Sequence, residues 1–253
     1  MISQIEKARQ FRSFHVPYNP LFLYNIWDAG SAKAVESAGS KAVATSSWSV
    51  AAAHGYEDGE QLPLDEMLAT VAKIARSVEL PVTVDFEGGY AADPETVGQN
   101  VRRLLELGVV GFNFEDQIVD GPGLYSVEDQ VSRIRAARRA ADSLGFPAFI
   151  NARTDVFLKA DRAVAQADLG EEAILRENAY ASAGADGFFV PGVTDTVLIR
   201  QVCGAATLPV NIMTTSALEV RKFAELGVAR ISLGPAPYIA LMSTVEEQMK
   251  ALL

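Results

Sequence analysis

The spacing of apolar and polar positions alternates along this chain between helical and extended periods. Ser3 to Phe14 carries helical spacing, and a short apolar run, Leu21 to Asn25, follows before Asp28 and Gly30. Ser31 to Ala38 reads as a short helix ended by Gly39, and Ala42 to Thr45 as a buried strand. Leu64 to Val78 reads as a helix with Met67, Leu68, Val71 and Ile74 on one face. The rhythm continues with strand Pro81 to Asp85, helix Pro94 to Leu107, strand Gly111 to Glu115, and a basic helix Ser126 to Leu144 carrying Arg133, Arg135, Arg138 and Arg139. Strand Pro147 to Asn151, helix Gly170 to Ala183, strand Asp186 to Val190 and helix Asp195 to Cys203 come next. Strand Pro209 to Ile212, helix Ser216 to Leu226 and strand Arg230 to Leu233 complete the series, with a helix running to the terminus.

About eight strand-helix units in this length predict an α/β protein of the (β/α)8 TIM-barrel class. Helical crossovers require the eight strands to be parallel. Junctions such as Ala38-Gly39, Leu107-Gly108, Ala183-Gly184 and Leu226-Gly227 place a glycine where each helix ends and feeds the next strand. An open doubly wound sheet is the competing architecture. It would call for a Gly-x-Gly-x-x-Gly turn after the first strand, and Asn25 to Gly30 offers no such phosphate cradle. The expectation is one barrel domain over residues 1–253, preceded by an N-terminal helix.

Composition narrows the classes of function. The 253 residues are 49% hydrophobic and 21% charged, a globular balance. No apolar run reaches the roughly 20 residues that cross a bilayer. Glu6, Lys7 and Arg9 fall where a secretory signal would be apolar, so a soluble, cytoplasmic protein without a membrane partner is expected. The net charge of −10 opposes general nucleic-acid binding. One cysteine, Cys203, and two histidines, His15 and His54, exclude an intrachain disulfide and cysteine- or histidine-rich metal sites.

In a barrel of this class the chemistry sits at the carboxyl ends of the strands. There the sequence places Asn25 and Asp28, Ser46 and Ser47, Asp85 and Glu87, Glu115 and Asp116, Asn151 and Arg153, and Asn211. Asp85 and Glu87, two apart, would point the same way from an extended chain, and Glu115 would join them from the next strand. Three carboxylates so close raise one another's pKa unless a cation intervenes, and oxygen ligands suit Mg²⁺ or Mn²⁺. The plainer reading is that they solvate loop ends. Arg153 could grip a carboxylate or phosphate with two prongs, or simply pair with Asp155 or Asp85. Ser46, Ser47 and Trp48 begin a turn whose amides could hold a ligand oxygen, or one that merely caps a helix. His54 reads as an acid-base group or as a structural histidine, Cys203 as a packing residue, and Phe188 and Phe189 as core.

At these residues the chain resembles the isocitrate lyase and phosphoenolpyruvate mutase superfamily. The matching pieces are Trp27-Asp28-Ala29-Gly30-Ser31-Ala32, Thr45-Ser46-Ser47, Gly55-Tyr56-Glu57-Asp58, Val84-Asp85-Phe86-Glu87-Gly88-Gly89-Tyr90, Phe114-Glu115-Asp116-Gln117, Asn151-Ala152-Arg153-Thr154-Asp155 and Ser232-Leu233-Gly234-Pro235. The resemblance implies a (β/α)8 barrel that binds a 2-oxo acid on Mg²⁺ and makes or breaks a C–C or P–C bond through an enolpyruvate-like intermediate. By position, Asp85, Glu87 and Glu115 resemble the metal carboxylates, most acting through water, with Glu87 where the family usually has Asp. Asp58 resembles a further acid that supports the metal. Ser46 and the Ser47 and Trp48 amides resemble the cradle for the substrate carboxylate and oxo oxygen, with Ser47 where glycine is common. Arg153 resembles the arginine on that same moiety, and Asn211 a contact to the substrate's far end.

The departures are informative. Isocitrate and methylisocitrate lyases carry Lys-Lys-Cys-Gly-His on a mobile loop after the strand of Glu115, whereas this chain has Ile118-Val119-Asp120-Gly121-Pro122-Gly123-Leu124-Tyr125. Mutases and phosphonopyruvate hydrolases use a longer loop with Lys and Asn or Thr, also missing. The glutamate that lyases place after the sixth strand falls near Pro191. Gly121, Pro122 and Gly123 could form a short lid, with Tyr125 covering the site. The expected activity is therefore a Mg²⁺-dependent carbon–carbon lyase acting on a small 2-oxo or 2-hydroxy (di)carboxylate, such as oxaloacetate decarboxylation or retro-aldol cleavage. P–C chemistry and non-catalytic 2-oxo acid binding are the alternatives. The resemblance also implies a homo-oligomer that exchanges a C-terminal helix.

Overall fold

The computed structural model describes residues 2–119, 121–161 and 166–253. In chain order the elements are α1 (Gln4–Ser13), β1 (Leu21–Leu23), β2 (Asn25–Ile26), α2 (Ala29–Ser37), β3 (Val43–Thr45), α3 (Ser47–Ala53), α4 (Leu64–Ser77), β4 (Val82–Asp85), α5 (Pro94–Leu105), β5 (Gly111–Glu115) and α6 (Val127–Ser143). There follow β6 (Phe149–Arg153), α7 (Val156–Lys159), α8 (Gln166–Ala183), β7 (Gly187–Val190), α9 (Thr196–Ala205), β8 (Val210–Met213), a 3₁₀ turn (Ala217–Glu219), α10 (Val220–Ala224), β9 (Arg230–Ser232) and α11 (Ala236–Lys250).

All strand pairs are parallel, in the order β1-β9-β8-β7-β6-β5-β4-β3-β2. Only Tyr24 separates β1 from β2, so they are two halves of one interrupted strand. The first half pairs with β9 and the second with β3, which closes the ladder into the expected barrel. Asn25 secures the seam: its Oδ1 accepts from the Leu233 and Gly234 amides, and its Nδ2 donates to the Thr45 carbonyl.

Local sequence accounts for the outer helices. On α5, Asp93 caps the Thr96 amide and Pro94 opens the first turn, while Val97, Val101, Leu104 and Leu105 form the buried stripe. Gly98 lets α5 approach α6, because a Cβ there would stand 3.4 Å from the Ala136 carbonyl. Inside the barrel space is tighter still, and a Cβ on Gly187 would meet Asn151 Oδ1 at 2.7 Å. The N-terminal helix plugs the amino ends of the strands. Phe11 is buried there, and His15 stacks on Phe149 with ring centroids 4.1 Å apart while its Nδ1 donates to the Phe11 carbonyl. Burial and the Arg230 cation hold His15 neutral, with its pKa pushed down to about 3.

The capping reading of Ser46 to Trp48 holds: the segment enters a helix, α3, with Ser46 as its N-cap accepting from the Ser49 amide. Two local expectations change. The region read as one helix over 216–226 divides into a 3₁₀ turn and the short α10. Strand β6 begins later and runs two residues further than expected, to Arg153, because its ladder with β5 continues to the Glu115↔Arg153 pair. That extension moves Asn151 from the rim to the barrel interior.

Candidate active site

The register places the charged groups side by side. Asn113 and Glu115 on β5 stand opposite Asn151 and Arg153 on β6, and alternation sends all four to the same face. At the rim, Arg153 Nη1 lies 3.0 Å from Glu115 Oε2 and 3.9 Å from Asp85 Oδ2. Its Nε and Nη2 engage both oxygens of Asp155 at 2.6 and 2.9 Å. The two readings of Arg153 therefore combine: it pairs with Asp155 and Asp85 and still faces the acidic rim.

Asp85 is held from several sides. The Ser47 hydroxyl and amide donate to its Oδ2 at 2.9 and 3.3 Å, and Asn113 Nδ2 donates to its Oδ1 at 3.1 Å. Ser47 thus spends its amide on Asp85 within the protein, and Trp48 follows as the second residue of α3, where an amide has no intrahelical acceptor. Ser46 is buried at the mouth of the same helix.

Glu87 reaches the site by a different route from the one expected. Strand β4 stops at Asp85, and the chain turns with φ of 48° at Glu87, 80° at Gly89 and 57° at Tyr90. A glutamate in this left-handed region is uncommon and carries strain. The carboxylate is held instead by the Glu60 amide, 2.7 Å from Glu87 Oε2, while Glu60 Oε1 accepts from the Tyr90 amide. Burial, reinforced by Asp58 and Asp85, pushes the Glu87 carboxyl up to about 8. Burial also raises Asp58, with Asp85 adding to it, and raises Glu115 well above the usual range despite Arg153. Arg153 itself stays charged: burial disfavours the cation, but Glu115, Asp155 and Asp85 together outweigh it. Arg153 faces Asp85, Glu115 and Asp155, with Asp58 close enough to feel its charge and Glu87 beside Asp58 and Asp85, so the site is short of positive charge.

Among the described residues, no group of three or more His, Cys, Asp or Glu side chains is arranged to grip an ion directly. The oxygen-only donors and raised carboxyl pKa values nonetheless suit a hydrated Mg²⁺, which keeps several waters and needs one or two direct carboxylates. The residues present fit such an ion.

Asn211 is not brought to the rim. It lies inside the barrel, its Nδ2 donating to the Ile212 and Arg230 carbonyls and its Oδ1 accepting from Asn151. Asn151 also donates to Asn113, and the buried Arg230 Nη2 donates to Asn113 Oδ1. This interior polar ladder beneath Asp85 was not read from the sequence beforehand. The matched alternation of Asn113 with Glu115 and Asn151 with Arg153 was its signal. Glu60 and Asp116 are supports that no sequence signal singles out. Asp116 accepts from the Asp155 amide, Arg176 and Tyr180, and so anchors the segment that grips Arg153.

His54 is structural: its Nδ1 donates to the Val50 carbonyl and its Nε2 meets the Thr70 hydroxyl at 3.0 Å. Phe188 and Phe189 are buried, and Cys203 lies on α9 with its thiol pushed up to about 12 by burial. In the loop after β5, Asp120 lies outside the described residues. The rest forms a hairpin, with Gln117 bridged to Leu124 and the Tyr125 amide donating to the Asp116 carbonyl. The Tyr125 ring lies against the Arg133 guanidinium, 4.0 Å from centroid to carbon.

A closed parallel barrel with carboxylates and an arginine gathered at the carboxyl rim has the architecture of the barrel enzymes. The family model described as phosphoenolpyruvate phosphomutase matches residues 11–253, and the chain belongs to that family, within the phosphoenolpyruvate mutase and isocitrate lyase superfamily of lyases and mutases. The chain is similar to a candidate phosphonomutase from Burkholderia cenocepacia J2315, with 45% identity, a TM-score of 0.95, and coverage of 98% of this chain and 99% of that one. It is 30% identical to 2-methylisocitrate lyase of Escherichia coli K12, over 92% of this chain and 79% of the relative. The structure of a 2,3-dimethylmalate lyase is 27% identical with a TM-score of 0.81, covering 99% of this chain and 88% of that one.

Proposed function

We propose that this protein is a Mg²⁺-dependent carbon–carbon lyase acting on a small 2-oxo or 2-hydroxy (di)carboxylate. The observation that carries the reading is the cluster at the carboxyl rim in which Asp85 and Glu115 face Arg153 and Asp58 and Glu87 adjoin Asp85. Asp85, Glu87 and Glu115 would hold the cation, directly or through water, with Asp58 in support. When bound there, a divalent ion supplies Lewis-acid polarisation of the substrate's oxo group. Arg153, already fixed by Asp155, would bind the substrate carboxylate and offset the negative charge that grows as the bond breaks. Ser46, Ser47 and Trp48 at the start of α3 would orient that same end of the substrate. Asn211 acts at a distance on this reading, through Asn151 and Asn113, by keeping the Asn113 amide turned toward Asp85.

The similarity to 2-methylisocitrate lyase and 2,3-dimethylmalate lyase supports C–C cleavage. The 45% identity to a candidate phosphonomutase favours a second reading, P–C chemistry at the same rim. Proton and phosphorus NMR of the protein with Mg²⁺ and oxaloacetate, substituted malates, isocitrate, methylisocitrate and phosphonopyruvate separates the two. Conversion of a carboxylate, abolished by chelator, is expected. Turnover of phosphonopyruvate alone would replace the first reading with the second. Oxalate binding without conversion of any compound would leave a 2-oxo acid binder.

The same reading includes a homo-oligomer. On α11, Ile239, Met242, Val245 and Met249 follow one another at helical spacing and are all exposed. Beside its base lies a groove of about 1030 Å³ lined by Leu21, Phe22, Trp27, Ala34 and Val35 among others. A second copy's α11 matches this groove in chemistry. Sedimentation of Met242→Glu/Val245→Glu is expected to show a lower oligomeric state than the unaltered protein; identical profiles would remove this part of the proposal.

A further inference from the structure

The hairpin after β5, described at residues 117–119 and 121–125, and the turn that carries Glu87 share one anchor outside the rim. Arg133, on α6, is buried at 1% exposure, and its Nη2 donates to the Gly88 carbonyl within that turn and to the Ala91 carbonyl just past it. Its guanidinium lies between two rings, 4.0 Å from the Tyr125 centroid and 5.0 Å from that of Phe114. Its Nη1 donates to Gln130 Oε1, and Gln130 Nε2 in turn donates to the Glu115 carbonyl. One side chain therefore touches the left-handed turn, the end of β5 through Gln130, and the last residue of the hairpin. The two loops also meet directly, since a Cβ on Gly88 would stand 3.4 Å from Val119. From the far side, Arg176 Nη1 donates to the Tyr125 carbonyl.

Burying a guanidinium costs several kcal/mol unless its donors and faces are satisfied. An arginine kept at such a point, with Nε left unpartnered, indicates a gain beyond packing. The turn at Glu87 to Tyr90 supplies the reason, because its left-handed residues persist only if the surroundings over-determine them.

We infer that Arg133 is a positioning residue that latches Tyr125, at the end of the segment after β5, to the Glu87 turn. The planar fork matters to this role: one edge serves the two carbonyls while the face serves the tyrosine ring, and lysine cannot do both. The effect on ligand binding rests on the function proposed above; the latch itself does not.

Hydrogen exchange of segments 86–92 and 117–125 tests the latch in the full chain. In Arg133→Met and Arg133→Lys, both segments are expected to exchange at least about tenfold faster while the barrel strands keep their protection. Tyr125→Leu should release 117–125, and Tyr125→Phe, which keeps the ring, should behave as the unaltered protein. Unchanged exchange in Arg133→Met overturns the inference. Should that variant not fold, equal exchange in Tyr125→Leu and Tyr125→Phe overturns it instead. Binding of Mn²⁺ with oxalate, read by electron paramagnetic resonance, is expected to weaken about tenfold in Arg133→Met and to be restored in Tyr125→Phe relative to Tyr125→Leu. If the unaltered protein binds no Mn²⁺ with oxalate, the proposed function fails while the exchange results still decide the latch.

Discussion

Replacing Arg153 by alanine is expected to lower turnover by at least about 10²–10³-fold, the usual cost of removing a group that stabilises developing negative charge. It is also expected to cost about 3–5 kcal/mol of stability, because it leaves buried carboxylates without their shared cation. Glu115 and Asp155 contact that guanidinium directly, and Asp155 has no exposed surface. Glu115→Gln should lose activity comparably with a much smaller loss of stability, since it removes a charge rather than stranding one. Combining the two should recover part of the stability lost in Arg153→Ala, as coupled partners do in a double-mutant cycle. Urea denaturation and steady-state rates of the three variants check this. Undiminished turnover in both single variants would remove the catalytic reading of the rim.

The second large effect joins pH to the metal. The Glu87 carboxyl sits at about 8 in the folded chain against 4.5 for its ordinary value. Between those values the folded state holds more proton than the unfolded state, so stability must fall as pH rises, by up to about 1.4 kcal/mol per pH unit for each such group. Glu115 and Asp58 are raised too and act in the same direction. His15 acts oppositely below 6.5, because it stays neutral when folded and takes up a proton when unfolded. The two trends offset each other on the acid side, and the fall is uncovered between pH 6.5 and pH 8. Mg²⁺ should reverse it, because a cation at the rim favours the ionised carboxylates. Denaturation midpoints in chelator are therefore expected to be lower at pH 8 than at pH 6.5, and saturating Mg²⁺ to stabilise more at pH 8. Equal midpoints with and without Mg²⁺ at pH 8 would count against a cation site.

The barrel was legible because its causes are local. Apolar stripes such as Val97-Val101-Leu104 can be buried only by a helix lying on a sheet, and Asp93-Pro94 marks where that helix starts. The charged members of the rim were legible for a related reason. Strand ends follow from the element order, and Asp85, Glu115 and Arg153 fall on them. Glu87 lies beside Asp58 and Asp85, but the geometric argument that placed it there does not hold. Two residues apart share a face only in an extended chain, and this chain leaves the strand at Asp85 and turns left-handed. Asn211 shows the opposite limit. A polar residue near a strand end can serve the rim or the interior, and only the register with Asn151 and Arg230 places it inside.

The sequence by itself determined the parallel barrel, its order of elements, the family, and the ring of strand ends where acids and an arginine collect. Period, caps and element order depend on neighbours in the chain, so they are written where they act. Tertiary structure alone decided that Glu60 holds Glu87, that Asp116 braces the Asp155 segment gripping Arg153, and that Arg133 reaches both loops. These contacts lie 27, 39 and 45 residues apart in sequence. No local period encodes them; they exist only because the ladder sets which strand ends face one another and the helices fix what stands behind them.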